Sequence, residues 1–426
     1  MKLLIKNGRV LDPNPQTKTD AVLDLLVENG VIVKTAPNIQ ADGAKQFDAS
    51  GCFVMPGFID LHVHLRDPGF EQKETVVTGI LAAARGGFTT IVAMPNTKPV
   101  VDHADIVNYV HNKAKSQEKV NVLQAGAITK GMEGKELSDI VKMVEAGSPA
   151  ISEDGKSVMD TYLLKKAMVI AKELDIPILS HCEDKNLVHG GVVNEDANAK
   201  KSDLPGISNA VEDIIAIRDV MLAKETGARL HLCHCSTSGS VQIVKMAKEM
   251  GVQVTAEVCP HHFTLTSDDM PKGDTNYKMN PPLRTPEDVE ALRQGLKDNI
   301  MDIISTDHAP HTKEEKNDSM LRAPFGIVGL ETAAALTYTE LVLGGYLTPM
   351  QMAEKMSYNP AQVIRCKKGS LAPGSVADIV IFDPMKTYTV DASKFASKGK
   401  NTPFHGRKVT GAVRATIAGG KMVYED

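Results

Sequence analysis

A chain of 426 residues with 48 Lys+Arg against 53 Asp+Glu has a formal net charge of −5, which leaves no basic footprint for nucleic acid and no cationic stripe for an anionic membrane. Hydrophobic residues make up 42%, enough for a large packed core, and no uninterrupted apolar run is long enough to cross a bilayer. The N-terminus lacks the pattern of a secretory signal and the six cysteines are scattered rather than set in a disulfide framework, so a cytoplasmic protein with reduced thiols is expected.

In chain order, LLIKNGRVLD and DLLVENGVIVK read as short β-branched strands turned at the pairs Asn7-Gly8 and Asn29-Gly30. The last segment, with SVADIVIFDP and KVTGAVRATIAGGKMVYED, has the same texture. The two termini, residues 1–54 and 366–426, are therefore expected to pair into one small β domain flanking a central unit, residues 55–365. In that unit short apolar strands alternate with amphipathic helices. The expected strands are FIDLHVHL, TTIVAMP, VNVLQAGAI, SPAISED, IPILSHC, ARLHLCHC, VQVTAEV and MDIISTD. Helix signals lie between them: Thr285-Pro286 and Thr348-Pro349 as N-cap and first-turn proline, and Gly227 as a C-cap. This α/β alternation fits a (β/α)8 TIM-like barrel better than an open sheet, and no Gly-x-Gly-x-x-Gly turn opens the first helix.

A barrel of this kind carries its chemistry at the C-terminal ends of its strands. His62 and His64 sit at the end of the first, two residues apart, and alternation along a strand directs both imidazoles the same way. Asp154, His181, His234 and Asp307 fall at the ends of the fourth, fifth, sixth and eighth. Any one of these histidines alone reads as a core residue, and either aspartate as a turn or cap. Their common placement at strand ends points instead to metal ligation, with more donors than one tetrahedral ion can use, so two metals bridged by Asp154 are expected. Cys233 and Cys235 are expected to point away from His234. His261-His262 adjoin the seventh strand and are not counted as ligands, and His103, His111, His189 and His405 read as surface residues.

DLHVHLRDPG and STDHAPHTKEEK resemble the diagnostic motifs of dihydroorotase, a family of the amidohydrolase superfamily. The resemblance continues in order through AMPNT, SEDGK, SHCED, HCST, MNPPLR and PFGIVGLET and spans essentially the whole chain. It implies reversible cyclisation of N-carbamoyl-L-aspartate to L-dihydroorotate and water, in pyrimidine biosynthesis. It also implies two Zn2+ ions holding a bridging hydroxide, one on His62, His64 and Asp307, the other on His181 and His234, with Asp154 between them. The Asp bridge resembles one class of the family, where many superfamily members use a carbamylated lysine; Lys156 is the nearby alternative. Asp307 would shuttle the proton. His64, Arg66, Asn96 and His311 would hold the substrate carboxylate, and Asn280 with the backbone at Phe325-Gly326 would read the ring amides. A homodimer is further implied, and the class it resembles occurs either as separate bacterial chains or linked with aspartate carbamoyltransferase. Allantoinase or dihydropyrimidinase is the nearest alternative activity, and a metal-free scaffolding homologue the alternative outside catalysis. The segment 308–324 is polar and long enough to close over substrate.

Overall fold

Asn29 and Gly30 both take left-handed φ values (50° and 84°), the pair of conformations a type I′ hairpin needs, and join the strands Thr19–Glu28 and Val31–Ala36. The computed structural model in which this turn is seen describes residues 2–426. Asn7-Gly8 does not turn the chain as expected. It lies inside one strand, Lys2–Asp12, whose register against Thr19–Glu28 shifts between Ile5 and Gly8. Asn7 (φ 62°) is accommodated as a bulge because its N–H donates to Asp24 Oδ1 at 2.9 Å, a side chain on the partner strand.

The short strand Phe53–Pro56 runs parallel to Lys2–Asp12 on one side and antiparallel to Ile379–Thr389 on the other. Lys408–Ala418 and Lys421–Glu425 extend the same sheet, and Lys45–Asp48 pairs with Lys2–Asp12. Early and late segments of the chain therefore share one sheet. Leu3, Ile5, Val54, Ile379, Ile381 and Ile417 pack into its buried cluster.

Immediately after this sheet the chain enters parallel strands. Phe58–Val63, Phe88–Ala93 and Asn121–Gln124 form one ladder. Gly126–Ala127, Ile151–Ser152, Pro177–Ser180, Arg229–Leu232, Val254–Val258 and Ile303–Ile304 form a second, from which the first is separated only by Ala125. These strands occupy the expected positions in the expected order. Beyond Ile303–Ile304, His308 makes an isolated parallel bridge to Val63. Helices follow the strands, including Val76–Arg85, Ala104–Lys115, Thr161–Glu173, Ala210–Thr226, Ser238–Glu249 and Pro286–Lys297. Thr285 caps its helix by accepting from the Asp288 N–H, Thr348 forms a capping box with Gln351, and Gly227 (φ 70°) ends its helix in the left-handed conformation.

Ile59, Leu61, Val92, Leu179 and Ile303 pack together in one apolar cluster. A larger one forms where strand residues such as Ile91, Ile178 and Val254 meet helix residues such as Ile80, Val107 and Leu292. No described helix is long and apolar enough to cross a membrane.

Candidate metal centre and its surroundings

The polar side chains that gather into one group stand at or just beyond the C-terminal ends of the parallel strands. His62 is the next-to-last residue of Phe58–Val63 and His64 lies just past its end, while Asp154, His181, His234 and Asp307 stand just past their own strands. His234 and Asp307 have left-handed φ values of 33° and 47°, which take the backbone off the ladder and turn these side chains towards the others. All six are buried.

Asp154 is the hub of this group. Its Oδ1 lies 3.2 Å from His62 Nε2, 3.4 Å from His181 Nδ1 and 3.8 Å from His234 Nε2, and its Oδ2 lies 3.5 Å from His64 Nε2. Asp307 Oδ1 stands 3.0 Å from His64 Nε2 and 3.6 Å from His62 Nε2. His181 Nδ1 and His234 Nε2 are 2.8 Å apart. Lys156, by contrast, is exposed.

The hydrogen bonds behind the rings show what belongs between them. His64 Nδ1 pairs with Asn96 Oδ1 at 2.9 Å and His62 Nδ1 with Glu257 Oε1 at 3.0 Å, so both rings present Nε2 lone pairs to the aspartates. Lone pair facing carboxylate at these separations is repulsive unless a proton or a metal cation lies between. Among the nitrogens facing Asp154, His62 Nε2 is buried and has no hydrogen-bond partner. Donors about 2.1 Å from a tetrahedral ion stand roughly 3.4 Å apart, the spacing found here. The donor set thus fits a metal of the kind imidazole and carboxylate bind.

The electrostatics follow the same geometry. Burial pushes the Asp154 carboxyl up, but the charge of His62 and hydrogen bonds from His181 and His234 outweigh it and hold the group well below the usual carboxylate range. Asp307 is likewise raised by burial and lowered more strongly by His64 and His62. Burial and the Arg66 charge together push His64 down.

Around the donors, Arg66 (φ 60°) is half-buried, with Nε 3.3 Å from the Pro310 carbonyl and Nη2 3.4 Å from His311 Nε2. His311 Nε2 donates to the Phe325 carbonyl at 2.8 Å, and burial with the charges of Arg66 and Lys73 pushes the ring down to about 2. Asn96 is spent on the donor set: its Oδ1 holds His64 and its Nδ2 donates to Asp154 at 3.1 Å. Asn280 donates to Glu183 Oε1 at 3.1 Å, and Glu183 Oε2 pairs with His181 Nε2 at 3.0 Å. Gly326 has φ 122°, and a Cβ there would stand 2.6 Å from the Ala309 Cβ. Its N–H donates to the Lys278 carbonyl, and its own carbonyl accepts from Lys316 Nζ at 3.1 Å and Asn401 Nδ2 at 3.0 Å. Lys316 Nζ also reaches the Lys278 and Pro324 carbonyls at 3.2 and 3.0 Å, so the segment expected to close over substrate is strapped from beneath.

Sequence reasoning missed Glu183, Glu257 and Asp60. Glu183 stands two residues from His181, a spacing that could have marked it. Asp60 accepts from the His62 N–H at 3.0 Å and the Thr306 N–H at 3.2 Å, and burial raises it to about 7. The cysteines flanking His234 do not point together. Cys233 lies beside His62 and Glu257, while Cys235 packs in the larger apolar cluster, because the left-handed His234 breaks the alternation. His261 and His262 are buried beside Cys259, with His262 Nε2 2.9 Å from the Pro281 carbonyl. His103, His189 and His405 are exposed as expected, but His111 is half-buried, its Nε2 accepting from the Gln124 N–H at 3.1 Å.

Comparison with known proteins places this geometry. The family described as Dihydro-orotase-like matches residues 51–240. The chain is 49% identical to a dihydroorotase of Pelotomaculum thermopropionicum over 426 residues, 100% of this chain and 99% of that one. It is also 49% identical to a dihydroorotase of Geobacter metallireducens, covering 100% of both. Among solved structures, an L-hydantoinase (dihydropyrimidinase) from Arthrobacter aurescens superimposes with a TM-score of 0.87 at 27% identity, covering 99% of this chain and 96% of that one. A dihydropyrimidinase from Brevibacillus agri gives 0.85 at 25% identity, covering 100% and 95%. With cyclic-amide hydrolases as its structural neighbours and full-length dihydroorotases at nearly half identity, the chain belongs to the dihydroorotase family of metal-dependent cyclic amidohydrolases.

Proposed function

We propose that the chain interconverts N-carbamoyl-L-aspartate and L-dihydroorotate plus water, in pyrimidine biosynthesis. The carrying observation is the ring of histidine lone pairs and carboxylates beside Arg66, a half-buried guanidinium with no carboxylate within 4.0 Å among the described residues. A charge-assisted fork of this kind suits the carboxylate that distinguishes dihydroorotate from uncharged hydantoins. We read the cations as two Zn2+, of which His62, His64 and Asp307 would hold one and His181 and His234 the other, with Asp154 shared between them. When bound they supply Lewis acidity for the ring carbonyl and an activated water at neutral pH.

The chain's own groups do the rest. Arg66, flanked by His311 and His64, orients the carboxylate so that the ring amide faces Asp307. Asn96 keeps His64 and Asp154 in place, and Asn280 and the backbone at Phe325-Gly326 border the ring. In hydrolysis Asp307 takes the proton of the attacking water and gives it to the amide nitrogen as the C–N bond breaks. In cyclisation it takes a proton from the ureido nitrogen as that atom bonds to the side-chain carboxyl carbon and returns it to the leaving oxygen, which departs as water with a second proton taken up from solvent.

The same reading takes residues 55–365 as a closed (β/α)8 barrel, supported by the Val63–His308 bridge, with 1–54 and 366–426 as the flanking β domain. It also carries a cytoplasmic homodimer; sedimentation of the protein alone tests this, and sedimentation mixed with aspartate carbamoyltransferase tells a separate chain from one that docks on that enzyme. The deciding experiment is interconversion of carbamoyl-aspartate and dihydroorotate before and after chelation. Turnover abolished by the chelator and restored by zinc is expected. A metal-loaded protein that turns over hydantoin or allantoin but not dihydroorotate would overturn the proposal.

A further inference from the structure

Glu257 lies on the strand Val254–Val258 and is 0% exposed. A carboxylate there is costly unless its oxygens are bonded. Oε1 accepts from His62 Nδ1 at 3.0 Å and from the His234 backbone N–H at 3.1 Å. Oε2 accepts from His231 Nε2 at 2.9 Å, and His231 Nδ1 lies 2.8 Å from Thr255 Oγ1. The Glu257 backbone carbonyl also takes the Cys235 N–H, at 2.9 Å. One residue thus ties two other strands to its own.

We infer that Glu257 is a positioning residue for the metal centre, which fixes the tautomer of His62 and the backbone that presents His234. With its Nδ1 proton held by Glu257, His62 has only Nε2 free, the atom that lies 3.2 Å from Asp154. The His234 N–H, turned off the ladder by the left-handed backbone, has no other acceptor than this carboxylate among the described residues. Three N–H donors occupy the two oxygens, which makes Glu257 a support rather than a ligand. The Thr255–His231 pair completes the relay: His231 satisfies Oε2 and is itself oriented by the threonine hydroxyl.

This inference rests on the reading that His62 and His234 hold a cation, and its consequences differ between two variants. In E257Q the carboxamide oxygen still accepts from His62 and His234. Its NH2 group can donate to His231 Nε2 once the His231 proton moves to Nδ1 and is donated to Thr255 Oγ1. In E257L every one of these bonds is lost.

The test is zinc competition against a chromogenic chelator, with the visible spectrum of the Co2+-substituted protein and a thermal melt. Outer supports of this kind are worth about 10- to 100-fold in metal affinity. That loss, with an altered cobalt spectrum, is expected for E257L, while E257Q keeps the wild-type spectrum and binds within a few-fold of wild type. Wild-type affinity in folded E257L, or a loss in E257Q equal to that in E257L, overturns the inference. If E257L does not fold, E257Q/T255V decides: the valine removes the acceptor the rescue needs, so affinity should fall about tenfold below E257Q, and no fall overturns the relay. Wild-type protein that binds no cation would overturn the metal reading as well; cation-loaded wild type beside unaffected variants overturns this inference alone.

Discussion

Replacing Arg66 by methionine keeps the length and apolar body of the side chain and removes its fork. The guanidinium is poorly satisfied by the protein: its Nε stands 3.3 Å from one carbonyl, and its Nη2 faces a His311 nitrogen that already donates elsewhere. Two charge-assisted hydrogen bonds to a substrate carboxylate are worth about 1.5–3 kcal/mol each. Part of that sum is offset because the variant no longer keeps a cation out of water, a cost visible in the downward push of burial on Arg66. A net loss of about 2–4 kcal/mol corresponds to about 30- to 900-fold in kcat/KM. The assay compares dihydroorotate with its carboxamide analogue, alongside metal content. Arg66→Met should lose the carboxylate substrate by that factor and leave the carboxamide within about threefold. Equal losses on both compounds, or loss of metal, would refute the role given to Arg66.

Asp307→Asn keeps the shape of the side chain but cannot carry the proton, so kcat should fall about 10²- to 10⁴-fold with the melting temperature unchanged; a near-normal rate sinks the shuttle. Burial pushes His181 down, but hydrogen bonds with Asp154 and Glu183 carry it up to about 10 when no cation is bound. A cation must displace that proton, so affinity should weaken about tenfold for each pH unit lowered from 8 to 6, measured by chelator competition; a flat dependence would contradict it. Gly326→Ala puts a methyl group 2.6 Å from the Ala309 Cβ at a φ of 122°, and should cost about 1–3 kcal/mol, read as a melting point several degrees lower. An unchanged melting point would show that the loop yields freely.

The donors at the strand ends were legible because each interrupts an apolar run with a residue type such runs avoid, and because H-x-H on a strand has one geometric meaning. The strands themselves were legible for the same reason. Glu257 was hidden by the alternation that exposed the others. In VTAEV it reads as the polar face of a strand, and its partners His62 and His231 lie on other strands, so only the folded ladder brings them together. Cys233 and Cys235 were misjudged because alternation holds only while the backbone stays extended, and His234 does not. Asn7-Gly8 looked like Asn29-Gly30, but a bulge and a hairpin make the same local demand, and Asp24 on the neighbouring strand decided between them.

The pairing of Phe53–Pro56 with Ile379–Phe382 joins segments separated by the whole of the parallel-stranded unit. A ribosome therefore releases the first parallel strand, with His62 and His64, long before the sheet beside it can be finished. Until Ile379–Thr389 is made, Phe53–Pro56 offers a bare hydrogen-bonding edge to any nascent neighbour. Such a molecule sets its own pace of maturation late. Chains halted before Ile379 should associate with one another or with chaperones rather than wait as half-built enzymes.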